Sequence, residues 1–170
     1  MKRLLFLSGV LLFSLATGYA QADKSKRPSP PATVTQTIDG GATVTIDYSR
    51  PSVKGRKFGS DIAPYGKVWR TGANEATIFA VDKDVTVNGK PLPAGKYTLF
   101  TIPGESEWTV IFNKTTGQWG TQYKEGDDFL RVNVPAAKAP QFTEQMSIDV
   151  AKDGKVTIAW ADAAANFQVK

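Results

Sequence analysis

The sequence predicts an all-β protein: a single antiparallel β-sandwich of two sheets, jelly-roll-like, with two long ordered loops. Three observations carry this. Apolar and polar residues alternate at period two in segment after segment, which sets one face of each strand in a core and the other in water. Asn-Gly and Asp-Gly pairs join the segments and supply the positive φ that tight hairpins need. Past the first twenty residues, no stretch spaces its apolar residues three and four apart over helical length. Eight to ten short strands without helices pack by default as two sheets.

The amino end comes first. Met1, Lys2 and Arg3 make a short basic start, Leu4 to Leu15 are almost wholly apolar, and small residues precede Gln21 and Asp23. This is the layout of a secretory signal peptide, expected over residues 1–20 with cleavage after Ala20 or, alternatively, Ala22. The apolar run is shorter than the ~20 residues of a membrane-spanning helix. With no Cys available for a lipid anchor, the expected location is the periplasm or the medium, with no membrane anchor after cleavage. Residues 21–31 hold Lys24, Lys26 and Arg27 among Ser and Pro and read as a solvated tether. Residues 32–170 then form the one domain.

Within it, Val34–Ile38 and Val44–Tyr48 alternate on either side of Asp39-Gly40-Gly41. Val85-Thr86-Val87 runs into Asn88-Gly89, and Pro91 and Pro93 keep the following arm out of a sheet interior. Tyr97–Ile102 and Trp108–Phe112 are apolar on both faces and read as central or doubly covered strands. Tyr97, after Ala94-Gly95, is a packing residue where its strand begins. Leu130–Val134, Met146–Val150 and Val156–Trp160 alternate again, the last two joined by Asp153-Gly154.

Two connections break the rhythm, residues 49–76 and 113–127. Unstructured loops beyond about 12–15 residues are uncommon in compact domains unless functional or disordered. These contain Tyr65, Trp69, Trp119 and Tyr123, residues that disordered segments avoid, so ordered loops are expected.

The residue inventory excludes much chemistry. There is no His and no Cys, which removes Ser-His-Asp and Cys-His triads, the common zinc sites and any disulfide. Stability must come from burying a core, which the 41% hydrophobic content allows. No Ser stands three residues before a Lys, and there is no GxGxxG or phosphate loop. Asp82-Lys83-Asp84 opens like a calcium loop, but Thr86 stands where the third ligand belongs. No cofactor and no metal are therefore expected. The net charge is +5, two of it at Lys2 and Arg3, and the scattered remainder does not suggest nucleic acid. Asn113-Lys114-Thr115 matches a glycosylation acceptor, which matters only in a eukaryotic secretory route.

Carboxylate, guanidinium and aromatic chemistry remain. Glu75, Glu107, Glu125, Asp127 and Asp128 could supply the acid and base of a hydrolase if two came within reach. The candidate ligand-binding residues are Arg50, Arg56, Trp69, Arg70, Asn74 and Glu75 from the first loop and Trp119 from the second. Arg offers a planar fork of donors for carboxylate or phosphate, and Trp a flat apolar face. The alternative is a structural clamp in which Trp69 plugs the core, Arg70 pairs with Glu75 and Asn74 caps loose backbone groups. Three functions stay open: non-catalytic binding of a small polar, anionic or glycan ligand, a carboxylate-based hydrolase, and a structural or interaction module of the cell envelope.

Four motifs stand in order along the chain: DYSRPSVKGRKFG (Asp47–Gly59), PYGKVWRTGANEAT (Pro64–Thr77), NGKPLPAGKYTLFTIP (Asn88–Pro103) and WTVIFNKTTGQWG (Trp108–Gly120). Together they resemble the bacterial domain-of-unknown-function family DUF2911, from about Ser29 to Trp160. The resemblance implies exported bacterial proteins with an all-β domain and no established activity. It brings no catalytic or binding residues to carry over.

Overall fold

The computed structural model describes residues 23–170, so the expected signal peptide lies outside the described residues. The described residues are all-β, with nine strands: β1 (Pro31–Thr37), β2 (Thr43–Ser49), β3 (Ile78–Val81), β4 (Val85–Val87), β5 (Lys90–Leu92), β6 (Gly95–Ile102), β7 (Glu107–Asn113), β8 (Asp128–Val150) and β9 (Lys155–Gln168). Single 3-10 turns lie at Lys24–Lys26 and Glu125–Asp127. Seven strands make one sheet in the order β1-β2-β3-β6-β7-β8-β9, and β4 and β5 make a small second one, tied to the carboxyl end by an isolated bridge between Val87 and Val169. Every pairing is antiparallel.

The strands divide unevenly, seven in one large curled sheet and two in a small one. The cause is β8, whose 23 residues serve both ends of the molecule. Its first third pairs with β7, Asp128 opposite Asn113 and Pro135 opposite Glu107. The rest pairs with β9, with register shifts between Lys138 and Thr143 and between Thr143 and Ser147. Such irregularities bend a strand and increase its twist. The far end of β8 thereby comes to lie over the start of the sheet, where the Ile148 N–H donates to the Tyr48 hydroxyl at 3.0 Å and Gln145 bridges Ser52. One curled sheet folds over its own core.

That core draws Val44 and Ile46 from β2, Phe79 from β3, Leu99 from β6, Val110 and Phe112 from β7, Met146 and Ile148 from β8, and Ile158 and Phe167 from β9. Each is at most 4% exposed, and burying such a side chain contributes about 1.5–3 kcal/mol. The turn that follows β4 behaves as its residues predict: Asn88 and Gly89 both take positive φ, 46° and 79°. Asp82 and Asp84 hold backbone groups, accepting from the N–H of Thr43 (2.7 Å) and of Ala94 (2.8 Å). Tyr97 is buried, and its hydroxyl donates to the Pro93 carbonyl at 3.0 Å.

β6 and β7 are central, as two apolar faces require. Their outer side is covered by the two long loops. Trp69 exchanges backbone hydrogen bonds with Thr101 (2.7 and 2.9 Å), Thr98 donates its hydroxyl to the Thr115 carbonyl (2.7 Å), and Phe100 meets Tyr123 edge-on at 4.9 Å. This cover places the candidate site.

Candidate functional site

The first loop is pinned backbone rather than a free excursion. Of the six described non-glycine residues with positive φ, four lie in it: Lys54, Ala63, Thr71 and Asn74. Left-handed backbone at such residues costs about 1–3 kcal/mol each, so the surroundings must hold it. Thr71 is held by its hydroxyl on Thr101 Oγ1 (3.1 Å), and its carbonyl accepts from the Thr77 hydroxyl (2.9 Å). The second loop closes over the first through Gly120 N–H to the Asn74 carbonyl (3.1 Å) and Ala76 N–H to the Gln118 carbonyl (3.3 Å). Gly120 is required there because a Cβ would collide with Arg70 Cδ.

Aromatic side chains form the floor. Trp69 stacks on Trp160 (5.4 Å, 15°), Phe58 stacks on Trp108 (5.4 Å, 8°), and the two pairs meet edge to face. Above it lies a cavity of about 360 Å³ lined by Arg56, Trp69, Arg70, Asn74, Trp160 and Ser29, with small and aliphatic residues between. Among the described residues, no carboxylate lines it. Arg70 also borders a second hollow of about 390 Å³, with Phe100, Thr121 and Tyr123.

The electrostatics are one-sided. Arg56 is oriented by carbonyls, its Nε donating to Val53 (3.0 Å) and its Nη2 to Ser52 (2.7 Å). Arg70 is half-buried, and its Nε is sealed from solvent with no acceptor among the described residues. Burial lowers its pKa, the direction expected when a cation loses water without gaining a partner. The Trp160 indole N–H is likewise sealed and unpaired. Orphaned buried donors are uncommon in folded proteins, and each calls for a reason.

Of the seven candidates, the structure brings Arg56, Trp69, Arg70 and Asn74 to one cavity. The other three lie outside it. Arg50 donates from Nε to the Met146 carbonyl (3.0 Å) and ties the loop to β8. Trp119 is 49% exposed and bridges Glu75 through backbone. Glu75 does not pair with Arg70. It is taken by Arg27, whose Nη1 lies 2.9 and 2.8 Å from its two oxygens, and by Lys24 at 3.2 Å. The Arg27 bonds, first among several causes, hold its carboxyl down at about 2. The segment around residues 24–30 is therefore tied to the first loop where a solvated tether is expected, because the Glu75 carboxylate draws the charges of Lys24 and Arg27. Asn74 does cap a loose backbone group, donating to the Ser29 carbonyl at 3.1 Å.

The other candidate carboxylates have structural partners. Glu107 accepts from Asn133 (2.9 Å), Glu125 pairs with Arg131 (3.0 Å), and Asp127 accepts from Thr115 (2.8 Å). Asp128 takes the Tyr123 hydroxyl and Arg131 Nε, both at 2.7 Å. Burial first, then the Asp128 bond, pushes the Tyr123 phenol up to about 12. Asn113 is buried and donates to Lys124 and Asp128, so its amide is not presented as a glycosylation acceptor. Trp160, Ser29 and Arg27 are the site residues that sequence reasoning missed. Trp160 carried only the signal of a core position in an alternating strand, which it also is.

No curated protein and no solved structure matches the chain. One family model does, described as a protein of unknown function, and it covers residues 29–169. All four motifs fall inside that span, and the chain belongs to the DUF2911 family.

Proposed function

We propose that this chain is an exported binding protein that holds a small anionic ligand in the cavity formed by Arg56, Arg70 and Asn74 and does no chemistry on it. The observation that carries this is Arg70, a half-buried guanidinium that meets no carboxylate among the described residues. Taking a charge out of water without a partner is costly, and a bound anion would supply the missing one. Arg56 adds a second charge on the same cavity, and about 360 Å³ is at the small end of ligand sites. A neutral glycan fits less well, because its hydroxyls need acceptors and the charged groups here only donate. A carboxylate hydrolase gains no support from this cavity, since none of the five candidate carboxylates lines it.

A thermal-shift series against phosphate, sulfate, citrate and glucose tests the reading, because a ligand that binds only the folded state raises the midpoint. One or more of the anions should raise it, and Arg70→Met should abolish the shift. An equal shift in Arg70→Met protein would overturn the assignment. Export rests on the basic start and apolar run of the first twenty residues. Intact mass of protein recovered from the periplasm should lack Met1–Ala20, and a mass that includes Leu4–Leu15 would refute export.

A further inference from the structure

We infer that residues 23–30 act as a strap that regulates the cavity, raising its affinity for anions when docked and lowering it when released. This rests on the anion-binding reading above. The strap buries none of its residues. Its side-chain ties are Arg27 and Lys24 on Glu75 and the Asn74 amide on the Ser29 carbonyl. At its end, the Arg50 N–H donates to the Pro30 carbonyl at 2.9 Å. Glu75 is 40% exposed in its side chain, and ion pairs this open are weak and screened by salt. A segment so held opens without disturbing the core.

Its attachment points nonetheless belong to the site. Ser29 and Asn74 line the cavity, and Glu75 is the next residue along. Docked, the strap sets two cations on Glu75 and cancels its charge. Released, it leaves a bare carboxylate beside the cavity wall, where it repels an anion. Release also removes Ser29 from the lining. A docked strap and a bound anion therefore favour one another, and linkage makes the effect reciprocal: an anion must hold the strap down as much as the strap holds the anion.

The test compares wild type, Arg27→Ala and Arg27→Ala/Glu75→Gln. Citrate and inorganic phosphate are titrated by calorimetry at low salt, and hydrogen exchange is followed over residues 23–30. Arg27→Ala should speed exchange in the strap and weaken binding by about two- to five-fold, less at high salt. Adding Glu75→Gln should restore most of the affinity while the strap stays loose. In wild type, the anion should slow exchange in the strap. Unchanged or tighter binding in Arg27→Ala, unchanged exchange, or no recovery in the double variant would each overturn the strap's role alone. Wild-type protein that binds neither anion would overturn the cavity reading, and the strap's role with it.

Discussion

The Tyr48 hydroxyl and the Ile148 amide meet at 3.0 Å across a separation of 100 residues, joining β2 to the far end of β8. Both are buried. Tyr48→Phe keeps the ring and strands the amide, which should cost about 1–3 kcal/mol. Urea unfolding measures it. A loss within about 0.5 kcal/mol, as for an exposed site, would show that this bond does not hold the curl closed.

Among the described residues, Arg70 has no partner to lose. Arg70→Met should therefore change stability by less than about 1 kcal/mol in the absence of ligand, in contrast to a buried pair, whose breaking costs about 3–5 kcal/mol. Combined with Glu75→Gln, the effects should add, because the two groups share no bond. Large and coupled losses in urea unfolding would restore the clamp.

Glu75 fixes a pH dependence. Its carboxyl sits at about 2 in the folded chain against 4.5 for a free group. A lowered value means that the folded state favours the ionised form. The stabilisation is thus fully present above about 4.5 and drains away as pH falls toward about 2. The gap in urea midpoint between wild type and Glu75→Gln should be widest near neutral pH and vanish at the acid end. Added salt should shrink it, since the carboxylate is partly open to water. A gap that does not change with pH would contradict the Arg27 pairing.

Gly120 tests how tightly the loops are fitted. A Cβ there would collide with Arg70 Cδ and lie 2.9 Å from the Asn74 carbonyl oxygen. Gly120→Ala should cost about 1–3 kcal/mol, typical of overpacking, and should also weaken anion binding by displacing Arg70. Wild-type stability and binding in this variant would show that the loop yields freely.

β1 and β2, which alternate cleanly, and β6 and β7, apolar on both faces, were legible, as was the Asn88-Gly89 turn. β8 was not. Leu130–Val134 and Met146–Val150 read as separate strands because Pro135 and Pro140 lie between them without alternation. Proline at an irregular stretch is tolerated in extended backbone, and the register shifts supply that irregularity. The second half of β9 hides in a run of alanines, which carries no period. At the site, composition alone pointed to Arg56, Trp69, Arg70 and Asn74. It misled on Glu75, because nearness in sequence suggested Arg70 while the true partner, Arg27, lies 48 residues away. Pairings of that range leave no spacing to read.

The continuity of β8 also bears on the order of assembly. Its closing half and β9 supply Met146, Ile148, Ile158 and Phe167, which cap apolar faces laid down by β2, β3 and β7. A chain emerging amino end first has no lid for those faces until its last forty or so residues arrive, and contacts that far apart in sequence form slowly. Truncation near the carboxyl end should therefore leave an open, sticky sheet rather than a smaller folded one.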